Sequence, residues 1–96
     1  MKIRISGKAR AELVGIYRYL ARRNPEAAEK TVADIDLRLR QLADFPLMGR
    51  QRPELAPDLR SLLAGTYIVF YTIADQEITV LRVIDGRMDI HKELKV

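Results

Sequence analysis

The chain has 96 residues, with 17 Lys and Arg against 13 Asp and Glu, one His and no Cys. That length makes one domain with a thin core, and the missing cysteines exclude disulfides and thiolate-held metals. No run approaches the ~20 apolar residues of a membrane span, and the start, Met1-Lys2-Ile3-Arg4-Ile5-Ser6, lacks a signal peptide's apolar stretch, so a cytoplasmic protein with no membrane contact is expected.

Lys2-Ile3-Arg4-Ile5 alternates and predicts a short strand with one apolar face. Ser6 is placed to cap a helix over 7–23. Its apolar residues Ala9, Leu13, Ile16, Tyr17 and Leu20 fall within an arc of about 100°, with Arg10, Arg18 and Arg22 off it. Asn24 and Pro25 suit the N-cap and first position of a second helix. That helix carries the stripe Ala28, Val32, Ile35, Leu39, Leu42, with Leu37 almost opposite. So short a connection makes the two helices an antiparallel hairpin.

Phe45-Pro46 ends the second helix, and residues 47–58 are polar and rich in turn formers, which predicts a structured loop. The period then changes to two. Strands are expected over Leu59–Ala64, Tyr67–Ile73 and Glu77–Ile84, with turns at Gly65-Thr66, Ala74-Asp75-Gln76 and Asp85-Gly86. Met88–Leu94 is a short tail of open form. The order β-α-α-β-β-β gives an α+β (α/β) domain over 1–96, an antiparallel sheet on a two-helix hairpin, with the first strand beside a later one.

Charge is uneven. Residues 1–23 hold Lys2, Arg4, Lys8, Arg10, Arg18, Arg22 and Arg23 against Glu12 alone, and Arg outnumbers Lys twelve to five overall. A basic end suits an acidic partner, and Arg's planar fork suits carboxylate or phosphate. The catalytic inventory is poor. His91 is the only imidazole, there is no Gly-rich phosphate loop, and neither metal nor cofactor is expected. Metal-free RNA cleavage needs an acid, a base and cations for the phosphorane-like charge. His91, Arg60, Arg82 and Lys92 are the residues available for it, although some arginines suit pairing with Glu54, Asp58, Asp85 or Asp89.

A set of ordered segments is more specific. Pro46-Leu47-Met48-Gly49-Arg50-Gln51-Arg52-Pro53-Glu54-Leu55 precedes Leu59-Arg60-Ser61-Leu62, Tyr67-Ile68-Val69-Phe70-Tyr71, Ile78-Thr79-Val80-Leu81-Arg82-Val83-Ile84 and Gly86-Arg87-Met88-Asp89-Ile90. With Ala9–Leu13, Ile16–Leu20 and Pro25–Ala28 upstream, the chain resembles ParE-like toxins of type II toxin–antitoxin modules, in the RelE/ParE superfamily. The resemblance implies a helical hairpin on a sheet, inhibition of DNA gyrase, and neutralisation by a ParD-like antitoxin in a heterotetramer or larger complex, with DNA touched only through the antitoxin. RelE-type cousins instead cut mRNA in the ribosome, which is the alternative. Asp85-Gly86 stands where many ParE-like chains carry His-Gly.

On this reading the antitoxin segment, partly helical and acidic, lies on Val14, Arg18, Arg22 and Leu37. Toxicity is expected from the exposed basic tail, through Arg87, Met88, His91 and Lys92, with Lys95 adding charge.

Overall fold

The computed structural model describes residues 1–94, so Lys95 lies outside the described residues. Strand β1 (Lys2–Ile5) leads into helices α1 (Gly7–Arg23) and α2 (Pro25–Asp44). Strands β2 (Arg50–Gln51), β3 (Arg60–Ala64), β4 (Tyr67–Ala74) and β5 (Glu77–Asp85) follow, then the single turn α3 (Ile90–Glu93). The helix starts follow local chemistry. The Ser6 hydroxyl accepts from the Ala9 N–H, and the Asn24 side chain accepts from the N–H groups of Glu26 and Ala27, with Pro25 opening α2.

The strands form one sheet in the order β1-β5-β4-β3-β2. Neighbours from β2 to β5 are antiparallel, but β1 pairs with β5 in parallel, Ile3 opposite Ile78 and Ile5 opposite Val80. The expected antiparallel sheet is therefore mixed. No hairpin joins β1 to β5, so turn geometry leaves their relative direction free. The turns that do join strands carry the required residues. Gly65 has φ +61, and Asp75 and Gln76 both take positive φ, 52° and 59°, as two-residue hairpin turns demand. The segment read as loop also contributes β2.

The helical hairpin covers one sheet face. Ala9, Ile35 and Leu42 pack with Leu62, Ala64, Tyr67, Val69, Tyr71, Ile78, Val80 and Val83. The other face holds a smaller cluster, Leu59, Phe70 and Ile84, covered by Leu55, Ala56, Ile90 and Leu94. A bulge in β5 sets which residues go where. Phe70 pairs with Arg82 and Tyr71 with Val80, leaving Leu81 as the extra residue. Ile78 and Val80 face the helices, but past the bulge it is Val83 that does so, while Ile84 joins the opposite cluster.

Candidate functional site: the helical groove and the C-terminal turn

Two apolar stripes meet imperfectly between α1 and α2. Tyr17 and Val32, read from the sequence as core, remain 43% and 41% exposed. With Leu13, Val14, Ile35, Leu39 and Ile5 they line a groove of about 490 Å³, with Arg18 and Asp36 also in its wall. The helices spend their deeper residues on the sheet and leave the outer ones facing each other across open space. A contiguous apolar groove with charge at its edge is the surface pattern of a binding site. Val14, 44% exposed, is the residue whose place off the α1 core arc signalled it in the sequence; Tyr17 and Val32 gave no such signal because they lie on the core stripes.

Arg22 follows Arg18 by one helical turn, so both project from one side of α1. Both are exposed, and neither makes an ion pair among the described residues. Leu37 is also exposed, at 55%, yet it does not line the groove. The structure thus joins Val14 and Arg18 in one depression, puts Arg22 beside them, and leaves Leu37 on another face of α2.

The loop after α2 is anchored by buried groups. The Tyr71 hydroxyl donates to the Pro46 carbonyl at 2.8 Å and accepts from the Gly49 N–H at 2.9 Å. Arg60 Nη1 donates to the carbonyls of Gly49 and Leu47 at 2.7 and 3.3 Å. A Cβ on Gly49 would run into the Tyr71 ring and stand 2.9 Å from the Ser61 carbonyl oxygen, so only glycine fits there. Burial raises the Tyr71 phenol above its usual range and keeps it a neutral donor. Nearby, Arg52 binds Glu54 at 2.7 Å and holds that carboxyl below the usual range.

After β5 the chain makes a tight turn. The Gly86 N–H donates to the Thr66 carbonyl at 2.8 Å, and the Met88 N–H to that of Asp85 at 3.0 Å. Arg87 grips Asp85 through Nε and Nη2, and its backbone N–H donates to the same carboxylate. These bonds, led by the guanidinium, hold the Asp85 carboxyl below its usual range. Met88, His91 and Lys92 stand exposed beyond the pair. A cavity of about 310 Å³ opens between this turn and α1, lined by Tyr19, Tyr67, Asp85, Arg87 and Met88 among others.

Of the four residues suited to RNA cleavage, Arg82 reaches the helical turn that carries His91 and Lys92, while Arg60 is held elsewhere. Arg60 is engaged by loop carbonyls beside β2. Arg82 donates from Nε and Nη2 to Glu12 Oε2 at 3.0 and 2.8 Å, and from Nη1 to the Glu93 carbonyl at 2.7 Å. His91 and Lys92 lie on the outside of α3. No group of three or more metal-ligating side chains occurs among the described residues, and no helix there is long and apolar enough to cross a membrane.

The family model for the ParE toxin of the type II toxin–antitoxin system parDE matches residues 3–90. The chain belongs to the ParE toxin family. Toxin ParE3 of Caulobacter vibrioides is 35% identical over 54 residues, 56% of this chain and 54% of that protein, so the match spans about half the relative's length. Toxin ParE1 of Mycobacterium tuberculosis is 31% identical over 70 residues, 72% of this chain and 71% of its own. A solved structure described as the chromosomal ParDE TA system from P. aeruginosa superposes with a TM-score of 0.77 at 28% identity, covering 88% of this chain and 95% of that one. The ParE family match takes in the groove and the turn through Ile90, and stops short of His91 and Lys92.

Proposed function

We propose that this ParE-family protein acts by binding: a ParD-like antitoxin occupies the α1–α2 groove, and the segment from Arg87 to Lys92 engages DNA gyrase. The observation that carries the reading is the groove itself, an apolar trough on a ParE-family chain with Arg18 in its wall and Arg22 one turn away. An acidic, amphipathic antitoxin helix sets apolar side chains against Val14, Tyr17 and Val32 and carboxylates against the two guanidinium groups. Family membership and the likeness to a ParDE assembly support that partner. Leu37 extends the contact if the antitoxin crosses α2.

How the arginines are spent supports binding over catalysis. Arg60 and Arg82 satisfy carbonyls and a carboxylate of the fold itself, so neither is a spare cation for a phosphate. Gyrase is the expected target, a cytoplasmic one, and the complex with antitoxin is a heterotetramer or larger.

The test is a supercoiling assay with purified toxin and its adjacent-gene antitoxin. Toxin alone should stop supercoiling and accumulate cleaved DNA, and antitoxin should restore activity. Val14→Asp should weaken antitoxin binding by at least about tenfold, since a carboxylate then faces an apolar contact, while stability moves by no more than about 0.5 kcal/mol. Normal supercoiling at saturating toxin, with cleaved transcripts in arrested cells, would overturn the gyrase reading in favour of mRNA cleavage.

A further inference from the structure

The edge of β5 is left open where β1 stops at Ile5, opposite Val80. Two residues close it. The Ser6 backbone N–H donates to the Val80 carbonyl at 2.9 Å and its hydroxyl to the Leu81 carbonyl at 3.0 Å. Glu12, reaching from α1, accepts the Val83 N–H on Oε1 at 2.9 Å. Its other oxygen takes both Arg82 bonds, in a pair whose side chains are only 14% and 22% exposed. The remaining Arg82 nitrogen, Nη1, donates to the Glu93 carbonyl at 2.7 Å.

Glu93 closes α3, a helix of four residues. A helix that short is not stable by itself, and its last carbonyls need an outside partner. Asp89 caps its start by accepting the Lys92 N–H. Ile90 and Leu94 rest on the smaller sheet-face cluster, and Arg82 supplies the donor at its end. At the other end of the same segment Asp85 fixes Arg87. Met88, His91 and Lys92 are therefore held between two guanidinium anchors.

We infer that Arg82, oriented by Glu12, is a positioning residue that clasps α3 to the sheet and presents His91 and Lys92 to the target. The clasp itself rests only on the bonds above; its role in toxicity rests on the proposed target-binding segment. Glu12 lies on the groove-forming helix α1, yet it is absent from the groove wall, so the clasp and the antitoxin contact are separable by mutation.

The experiment compares wild type with Glu12→Gln and Arg82→Lys. Glu12→Gln keeps the shape and an acceptor for Val83 but removes the charge that holds Arg82; Arg82→Lys keeps a charge but not three separately aimed donors. Amide hydrogen exchange is followed at Glu93 and Leu94, whose N–H groups bond to the carbonyls of Asp89 and Ile90. Both variants should exchange there about tenfold faster or more, with β4–β5 protection and antitoxin affinity unchanged and gyrase inhibition reduced. Unchanged α3 exchange in both variants overturns the clasp. Faster exchange with full inhibition overturns its positioning role. Inhibition absent even in wild type, with the exchange effect intact, sinks the gyrase reading and leaves the clasp standing.

Discussion

The two faces of the sheet are held by different forces. On the helix side, eleven buried residues form one cluster, and Leu42, Val69, Tyr71, Ile78 and Val80 are fully enclosed. On the other side the buried apolar residues among those described are Leu59, Phe70 and Ile84, and the covering loop and tail are fixed by Arg52, Arg82 and Arg87 on a hydroxyl, a carbonyl and carboxylates. A chain of 96 residues has apolar side chains enough for one good interior. Where these run out, guanidinium groups with several aimed donors do the fastening. The helix side should then be robust and insensitive to pH and salt, and the loop side local in its stability and electrostatically adjustable.

The largest effect expected of that contrast is in the main core. Leu42→Ala should cost about 2–5 kcal/mol in urea denaturation, whereas Leu94→Ala, at the half-buried rim of the smaller cluster, should cost under about 1.5 kcal/mol. Equal losses would erase the distinction between the faces. Next is Tyr71→Phe, which leaves the Pro46 carbonyl and Gly49 N–H without their partner. A loss of about 1–3 kcal/mol is expected, with faster amide exchange confined to the loop after α2. The same substitution without any effect on that loop would show that packing alone anchors it.

The smallest effect is the turn at Asp85. Its folded-state pKa lies below the ordinary 3.8. Its contribution is therefore present above that value and disappears as pH falls through the folded-state pKa. Asp85→Asn should flatten part of the stability loss below about pH 4 and little else, since an exposed pair is worth little near neutrality. Stability curves for the two proteins that coincide throughout the acid range would remove Asp85 from the account.

Local features were legible in the sequence. Ser6, Asn24 and Pro25 mark helix starts because caps act within three residues. Gly65 marks a turn for the same local reason, and the period of two announced β3, β4 and β5. The hidden features depend on residues far apart. The parallel β1–β5 pairing, the Glu12–Arg82 contact across 70 positions and the Tyr71–Pro46 bond have no short-range signature. Tyr17 and Val32 satisfied a core pattern and turned out half exposed, because periodicity reports a face and not what covers it. Of the candidate binding residues, Val14 and Arg18 were readable as surface on α1, but the depression that joins them required the helix–helix geometry.

The bulge at Leu81 has a consequence for how such a chain tolerates change in length. Strict alternation through Ile78 and Val80 would carry Arg82 into the interior and turn Val83 toward the loop side. The extra residue reverses that phase, so one strand contributes apolar residues to both clusters and still delivers its arginine to the surface beside α1. Insertions in the tip at Asp75-Gln76 lengthen a hairpin and leave the strands in step. A deletion of Leu81 is of another kind: it removes the bulge, yet Val80 stays opposite Tyr71 and Arg82 opposite Phe70, so the residues from Arg82 to Asp85 keep their faces. The leucine in this hydrophobic run is the one residue of β5 without a partner on β4, and it lets both ends of the strand keep their faces while β5 runs one residue longer.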